Sequence, residues 1–273
     1  MFADNYKPTL MSTLNVLRDL IAIDSPTGYT NKAIEFIEAT LRGYGFSPTR
    51  TKKGALRCSL GEHPSVALAG HTDTLGAIVA GLNSNGTLKF SVLGGPLLPS
   101  FEGGYVRIHT LDNRVYTGTM LLNDPSTHAN HKAASTERTS ASMHIRLDEE
   151  VSSREDVVSL GIRTGDIVAF DPKYQELSNG FIKSHFLDNK AGCYVLLEVA
   201  RLIALRGAGA PVSPRISTTC GCHHFITSNQ SLIILSSWYG NCWSDDSIHL
   251  KSFVIKILMS KRSCCHDLVL IKL

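Results

Sequence analysis

Three side chains have types and positions that could support metal chemistry, namely His71, Asp73 and Asp188. The first two follow an apolar run in SVALAGHTDTLGAIV (residues 65–79), and the third lies in SHFLDNKAG (residues 184–192). An imidazole is a common metal ligand, and a carboxylate two residues away can hydrogen-bond the ring and fix its tautomer. A carboxylate at Asp188 could be shared by two divalent ions, as two-metal hydrolases require.

Each motif also has an ordinary structural interpretation. His71 and Asp73 fit a hydrogen-bonded polar pair. Asp188, which precedes Asn189, fits a helix N-cap, where a carboxylate interacts favourably with the helix dipole. A metal site is therefore predicted only if the chain brings the two motifs together.

The elements around these motifs are typical of an α/β layer. Apolar residues recur at helical spacing near the start of the chain and again at residues 33–41, and the SPTG turn at residues 25–28 separates the two predicted helices. Short strands are predicted at residues 55–60 and 65–69. Because ligands of α/β proteins gather beyond the carboxyl ends of buried strands, His71 lies where chemistry is expected.

The middle of the chain has the pattern of a small β-barrel. Short β runs bounded by turn residues are predicted at Leu88–Leu93, Tyr105–Thr110, Val115–Leu122, Ser142–Leu147 and Ile167–Phe170. One helix is predicted among them, at residues 153–160, with a capping box formed by Ser152 and Glu155. His128 and His131 fall in a polar loop and are read as exposed, with metal ligation as the alternative.

After Lys190 the helical period returns, with one apolar face predicted from Val195, Leu196, Val199, Leu202 and Ile203. A β module thus interrupts an α/β domain. The expected domains are a first catalytic part (1–74), an inserted β-barrel (75–172), a second catalytic part (173–213) and a tail of different composition (214–273).

Composition limits the class of protein. A net charge of +3 over 273 residues is too small to indicate a nucleic-acid partner. No apolar run reaches the length of a membrane span, so no membrane partner is expected. The odd number of cysteines, with Cys58 and Cys193 in apolar runs, argues against a disulfide scaffold and for a reducing cytoplasm.

The order of these parts resembles metallopeptidase family 42, the tetrahedral and glutamyl-type aminopeptidases. The resemblance rests on GHTDTLGAIV, the β insertion, GIRTGDIVAFDP and SHFLDNKAGCYVLLE, and it covers roughly residues 10–206. It implies an α/β, phosphorylase/hydrolase-like catalytic domain with two metal ions. It further implies an inserted barrel that mediates dimerisation and assembly into a dodecamer, and a cytoplasmic enzyme that removes N-terminal residues from peptides.

The resemblance also implies roles for the three side chains. His71 would be a ligand of one metal, Asp73 the acid of the catalytic centre that orients it, and Asp188 the carboxylate that bridges two divalent metal ions. Such ligands suit zinc, cobalt and manganese alike. Two ligands are too few to hold a metal pair tightly, so an empty or weakly loaded site is expected.

The chain departs from the family after the LDNKAG helix. There the family continues with two adjacent glutamates, a general base and then a metal ligand, and it later adds an aspartate and a histidine ligand. In this chain Glu198 is the last glutamate, and the residues from Val199 to Leu273 contain none. The catalytic domain is therefore predicted to be incomplete and this copy to be inactive.

The last part of the chain differs in composition from the rest. Residues 199–273 carry a net charge of +5, against −2 for residues 1–198, and they contain five of the seven cysteines. A change of reading frame near Pro214 would produce this pattern. The alternatives are a zinc site from CGCHH (220–224) and CCH (264–266), whose spacings match no common frame, and a membrane-seeking tail.

Three functions stay open from the sequence. The first is a di-metal aminopeptidase. The second is a non-catalytic module that forms homo-oligomers through its barrel. The third is an unstable remnant whose incomplete sheet exposes an unpaired edge.

Overall fold

Two helices precede the first three strands, and strands dominate the middle of the chain. The computed structural model describes residues 7–60, 64–206, 232–238, 256–257 and 269–272. The helices are α1 (Lys7–Ala22), α2 (Asn31–Gly43), α3 (Arg154–Ser159) and α4 (Leu187–Arg206). The strands are β1 (Thr49–Arg50), β2 (Leu56–Ser59), β3 (Pro64–His71), β4 (Gly76–Leu82), β5 (Leu88–Leu93), β6 (Tyr105–His109), β7 (Val115–Leu122), β8 (Met143–Leu147), β9 (Ile167–Phe170), β10 (Gln175–Glu176), β11 (Phe181–Ser184), β12 (Leu232–Trp238), β13 (Lys256–Ile257) and β14 (Val269–Lys272). No helix in the described ranges has the length and apolar character needed to cross a lipid bilayer.

The described residues divide into two compact units. The first contains the residues up to Asp73 and those from Tyr174 onward, and the second runs from Thr74 to Lys173. The second unit contains a closed six-stranded barrel, whereas the first combines helices with two four-stranded sheets. The predicted α/β class with an inserted β-barrel is therefore confirmed. The functional domain bounds 1–74, 75–172, 173–213 and 214–273 stay a prediction.

One four-stranded sheet of the first unit has the order β1-β2-β12-β3, and the other has the order β10-β11-β14-β13. Strand β12 pairs in parallel with β2 and antiparallel with β3, where Leu232 lies opposite His71. The sequence did not predict β12, because LIILSSW begins as a continuous apolar run. Interior strands are often apolar without alternation, and such runs cannot be assigned from periodicity alone.

Helix α4 packs against two apolar clusters of the first unit. Cys193, Leu196 and Leu197 join the cluster that contains residues of α2 and β2, and Ala191 and Tyr194 join a second one with residues of α1. The predicted helix is present, and Leu196 of its predicted apolar face is buried. The other four residues of that predicted face are only partly buried, and they are Val195, Val199, Leu202 and Ile203.

The barrel of the second unit has the order β4-β5-β8-β7-β6-β9 and closes by pairing of β9 with β4. Strands β5, β7 and β9 have the predicted bounds. The capping box of α3 lies one residue later than predicted. Its N-cap is Ser153, whose hydroxyl accepts from the Asp156 backbone N–H. The Asp156 carboxylate accepts from the Ser153 backbone in return.

Candidate metal centre

His71 is the last residue of β3, and Asp73 follows it in the connection beyond that strand. Nδ1 of the His71 ring lies 3.2 Å from the backbone oxygen of Asp73. The same nitrogen lies 3.2 Å from Oδ1 of the Asp73 carboxylate. Both oxygens are acceptors, so they favour a proton on Nδ1, which leaves the Nε2 lone pair available when the ring is neutral.

Asp188 faces the other side of the same imidazole. Its Oδ1 lies 3.5 Å from Nε2 of His71, and its side chain is 41% exposed. The backbone at Asp188 and Asn189 is not helical, although both residues fall inside the bounds of α4. The structure therefore brings the two sequence motifs together, with one carboxylate on each side of the ring.

The two carboxylates favour positive charge at the ring. Burial lowers the pKa of His71, but the adjacent Asp188 and Asp73 carboxylates outweigh this effect and raise the pKa to about 10. Opposite charges at this distance stabilise the charged form of a titratable group. The position occupied by the ring is thus one of negative potential.

A close approach of α4 to β3 makes this arrangement possible. A Cβ at Gly70 would lie 3.3 Å from Sγ of Cys193 and 3.4 Å from Cδ1 of Leu196, so little room is left for a side chain. Sγ of Cys193 donates to the backbone oxygen of His71 over 3.2 Å. Burial raises the pKa of that thiol to about 12, which keeps its proton in place.

The turn after α1 contributes two residues that the sequence analysis missed. Oγ of Ser25 donates to the backbone oxygen of Thr72 over 2.7 Å, and Oγ1 of Thr27 donates to Oδ2 of Asp73 over 2.9 Å. The SPTG pattern itself predicts only a turn. Its two hydroxyl residues were the available signal, but their partners lie 46 or more residues away.

Lys190 anchors the segment that carries Asp188. The side chain is 1% exposed, and Nζ donates to the backbone oxygen of Ile23 over 2.6 Å. It also lies 3.5 Å from the backbone oxygen of Ile21, near the C-terminal end of α1. Carbonyls at a helix C-terminus favour a cationic partner, so this burial is compensated.

The other sequence candidates are either exposed or outside the described residues. His128 and His131 are exposed in the second unit. The tail histidines and cysteines at 220–224 and 264–266 lie outside the described residues. Within the described ranges, no group of three or more His, Cys, Asp or Glu side chains is arranged to hold a metal ion.

The donor pair nevertheless fits part of a metal coordination shell. Bonds of about 2.1 Å to nitrogen and oxygen that meet at a tetrahedral angle place two ligand atoms about 3.4 Å apart. Nε2 of His71 and Oδ1 of Asp188 are separated by 3.5 Å, longer than the usual hydrogen bond of about 2.7–3.2 Å. On the other side of the ring, Oδ1 of Asp73 is buried without a hydrogen bond of standard geometry. The pair therefore suits two ligands of one divalent ion.

Comparison with known proteins shows that the chain is similar to several aminopeptidases. A candidate aminopeptidase of Bacillus subtilis, YhfE, is 36% identical over 228 residues, which cover 82% of this chain and 63% of that protein. The lysyl aminopeptidase of Pyrococcus furiosus is 28% identical over 141 residues, covering 52% and 40%. The chain thus spans less than two thirds of the length of these curated relatives.

A solved structure shares the fold. The TET1 peptidase of Pyrococcus horikoshii, which can assemble into a tetrahedron or a large octahedral shell, superposes with a TM-score of 0.64 at 17% identity, covering 82% of this chain and 60% of that one. The family profile described as M42 glutamyl aminopeptidase matches residues 54–213, more than half of the chain. That span includes β3 with His71 and the helix that carries Asp188. The chain belongs to the M42 glutamyl aminopeptidase family.

Proposed function

We propose that this chain carries one half of a two-metal aminopeptidase centre. In this proposal His71 is a ligand of one divalent ion, Asp188 is the carboxylate that both ions share, and Asp73 orients the imidazole. The observation that supports it best is the 3.5 Å distance between Nε2 of His71 and Oδ1 of Asp188. This contact lies on the side of the ring opposite Asp73. Zinc, cobalt and manganese all accept such nitrogen and oxygen donors.

The chemistry proposed is the removal of N-terminal residues from peptides. Divalent ions bound at such a site polarise a carbonyl oxygen and lower the pKa of water. The chain's own residues hold the ligands in position for that role. Asp73 keeps the Nδ1 proton of His71, and the Asp188 side chain is 41% exposed, so an ion from solvent can reach it.

The same proposal predicts no turnover by these 273 residues on their own. The reaction needs a general base, and no glutamate follows Glu198. Glu198 is 5% exposed and its Oε2 accepts from the Arg201 guanidinium over 3.0 Å. A buried carboxylate that already accepts from an arginine is a poor candidate for the general base, because substrate and water have little access to it.

Turnover is tested with chromogenic amino acid amides in the presence of cobalt, zinc or manganese. The expected result is no hydrolysis above that of the His71→Ala variant. A matched control is His128→Ala, since His128 is an exposed histidine of the second unit. Metal-dependent turnover that His71→Ala abolishes and His128→Ala preserves would show that the site is complete.

A second candidate is a non-catalytic module that forms homo-oligomers. The second unit exposes large apolar side chains, among them Tyr105 at 69% and Leu111 at 76%. The structural neighbour from Pyrococcus horikoshii is described as assembling into a tetrahedron or an octahedral shell. Light scattering on the eluting peak of a size-exclusion column should give a mass of two or more chains, whereas a monomer mass rules this candidate out.

The composition of residues 214–273 supports a proposed change of reading frame near Pro214. The family profile ends its match at residue 213. Translation of the other two frames of the gene tests the proposal. A Glu-Glu pair after a strand-like run is expected in one of them, and its absence from both contradicts the proposal.

A further inference from the structure

We propose that the connection after α1, residues 23–27, is a positioning loop that holds both ligand-bearing segments of the candidate metal centre in register. This inference rests on the proposed function, since it concerns the geometry of His71 and Asp188. Three hydrogen bonds of this loop carry it. Two reach the segment after β3, and one comes from the first turns of α4.

The first bond fixes the Asp73 carboxylate. Oδ2 accepts from Oγ1 of Thr27 at 2.9 Å, while Oδ1 lies 3.2 Å from Nδ1 of His71. Asp73 is 6% exposed, so water has little access to replace the hydroxyl. With Oδ2 held, the carboxylate plane cannot rotate freely, and Oδ1 stays directed at the ring. Thr27 therefore orients His71 through Asp73.

The second bond fixes the backbone between the two side chains. Oγ of Ser25 donates to the backbone oxygen of Thr72 at 2.7 Å, and both residues are fully buried. Thr72 lies between His71 and Asp73. The loop thus restrains the peptide that sets the spacing of imidazole and carboxylate.

The third bond joins the same loop to the segment that carries the other ligand, Asp188. Nζ of Lys190 donates to the backbone oxygen of Ile23 at 2.6 Å, and Lys190 is two residues after Asp188. One short loop is therefore bonded to the segment of His71 and to the segment of Asp188. Since the two segments are more than 110 residues apart in sequence, a shared loop is an efficient way to fix their separation.

Thr27 is the residue that tests this role most cleanly. Thr27→Val removes the hydroxyl and keeps the branched shape, and Thr27→Ser restores a hydroxyl at the same carbon. Groups that orient metal ligands typically contribute about 10–100-fold to metal affinity. We expect Thr27→Val to weaken Co²⁺ and Zn²⁺ binding by about that factor and Thr27→Ser to bind within about threefold of the parent protein.

The measurement is calorimetric titration of the full chain with each metal, with the melting temperature of the metal-free protein recorded for every variant. Thr27→Ala is measured alongside, so a folding failure of the valine variant does not remove the test. In an Asp73→Asn background, Thr27→Val should have little further effect, because Thr27 acts through Asp73.

The outcomes separate the two proposals. Equal metal affinity of the parent, Thr27→Val and Thr27→Ala overturns the positioning role while leaving the metal centre intact. A lower melting temperature with unchanged affinity also overturns it, since that is the result of a purely structural threonine. A parent protein that binds neither metal overturns the metal centre itself, and the positioning role with it.

Discussion

At the scale of single residues, the imidazole of His71 is flanked by carboxylates with different surroundings. Asp73 is buried and bonded to Thr27, whereas Asp188 is partly exposed. The difference suits different tasks, because a buried carboxylate can hold a ring in place and an exposed one can receive an ion from solvent. Of the two carboxylates beside the ring, Asp188 is therefore the one that solvent can reach.

Asp73→Asn should weaken metal binding with little change of shape. The amide is isosteric but neutral, so it no longer polarises the Nδ1 proton of His71, and about a 10–100-fold loss of Co²⁺ affinity is expected. Calorimetric titration measures this directly. Asp124→Asn, an exposed change in the second unit, serves as the control, and equal losses in both variants would show that the effect is not local.

The site residues differ in how far the sequence reveals them. His71, Asp73 and Asp188 could be proposed from residue type, spacing and the resemblance of their motifs. Thr27 could not, because its partner is 46 residues away and a Ser-Pro-Thr-Gly sequence is first of all a turn. Such long-range side-chain bonds depend on how elements pack, which local sequence patterns do not encode.

At the scale of elements, the contact between β3 and α4 sets the distance between the two ligands. Helix α4 approaches the strand at Gly70, and a hydrogen bond from Cys193 to His71 joins them. Lys190 adds a link to the end of α1. The packing of α4 against β3, together with the loop after α1, therefore sets the separation of His71 and Asp188.

Gly70→Ala should destabilise the first unit. The added Cβ would lie 3.3 Å from Sγ of Cys193, tighter than ordinary packing, and overpacking of this kind costs about 1–3 kcal/mol. The free energy of unfolding in urea gives the value. Gly43→Ala is the matched control, because that glycine ends α2 with open space around it. A Gly70→Ala protein as stable as the parent would contradict the close approach.

Lys190→Met should also lower stability, by about 1–3 kcal/mol, because it leaves the partly buried Ile23 carbonyl without this donor. Lys32→Met, on the exposed side of α2, should leave the free energy of unfolding within about 0.5 kcal/mol. Urea unfolding compares the two. If both variants unfold alike, Lys190 does not anchor α4 to α1.

Among the elements, the barrel strands were the most predictable. Strands β5, β7 and β9 are short runs between turn residues, a local pattern that survives in the fold. Strand β4 was not predicted, because GAIVAGL continues the apolar stretch around His71 and contains two glycines. Strand β12 was missed since its pairing with β2 and β3 depends on chain segments far away in sequence.

At the scale of the whole molecule, this member of the M42 glutamyl aminopeptidase family contains two units in one chain, an α/β unit and a β-barrel unit. The sequence reveals this organisation because the two units have different periodicities, one helical and one of short strands. It does not reveal an active site in full. The glutamate pair expected after α4 is missing from the 273 residues, although the elements that carry His71 and Asp188 are present.

The most direct test of the account is calorimetric titration of the full chain with Co²⁺, compared among the parent, His71→Ala, Asp188→Asn and the double variant. If both side chains bind the same ion, each single variant loses most of the affinity and the double variant loses little more. His131→Ala, an exposed histidine of the second unit, should bind like the parent. A His71→Ala, Asp188→Asn double variant that binds Co²⁺ as tightly as the parent would contradict the proposed metal centre.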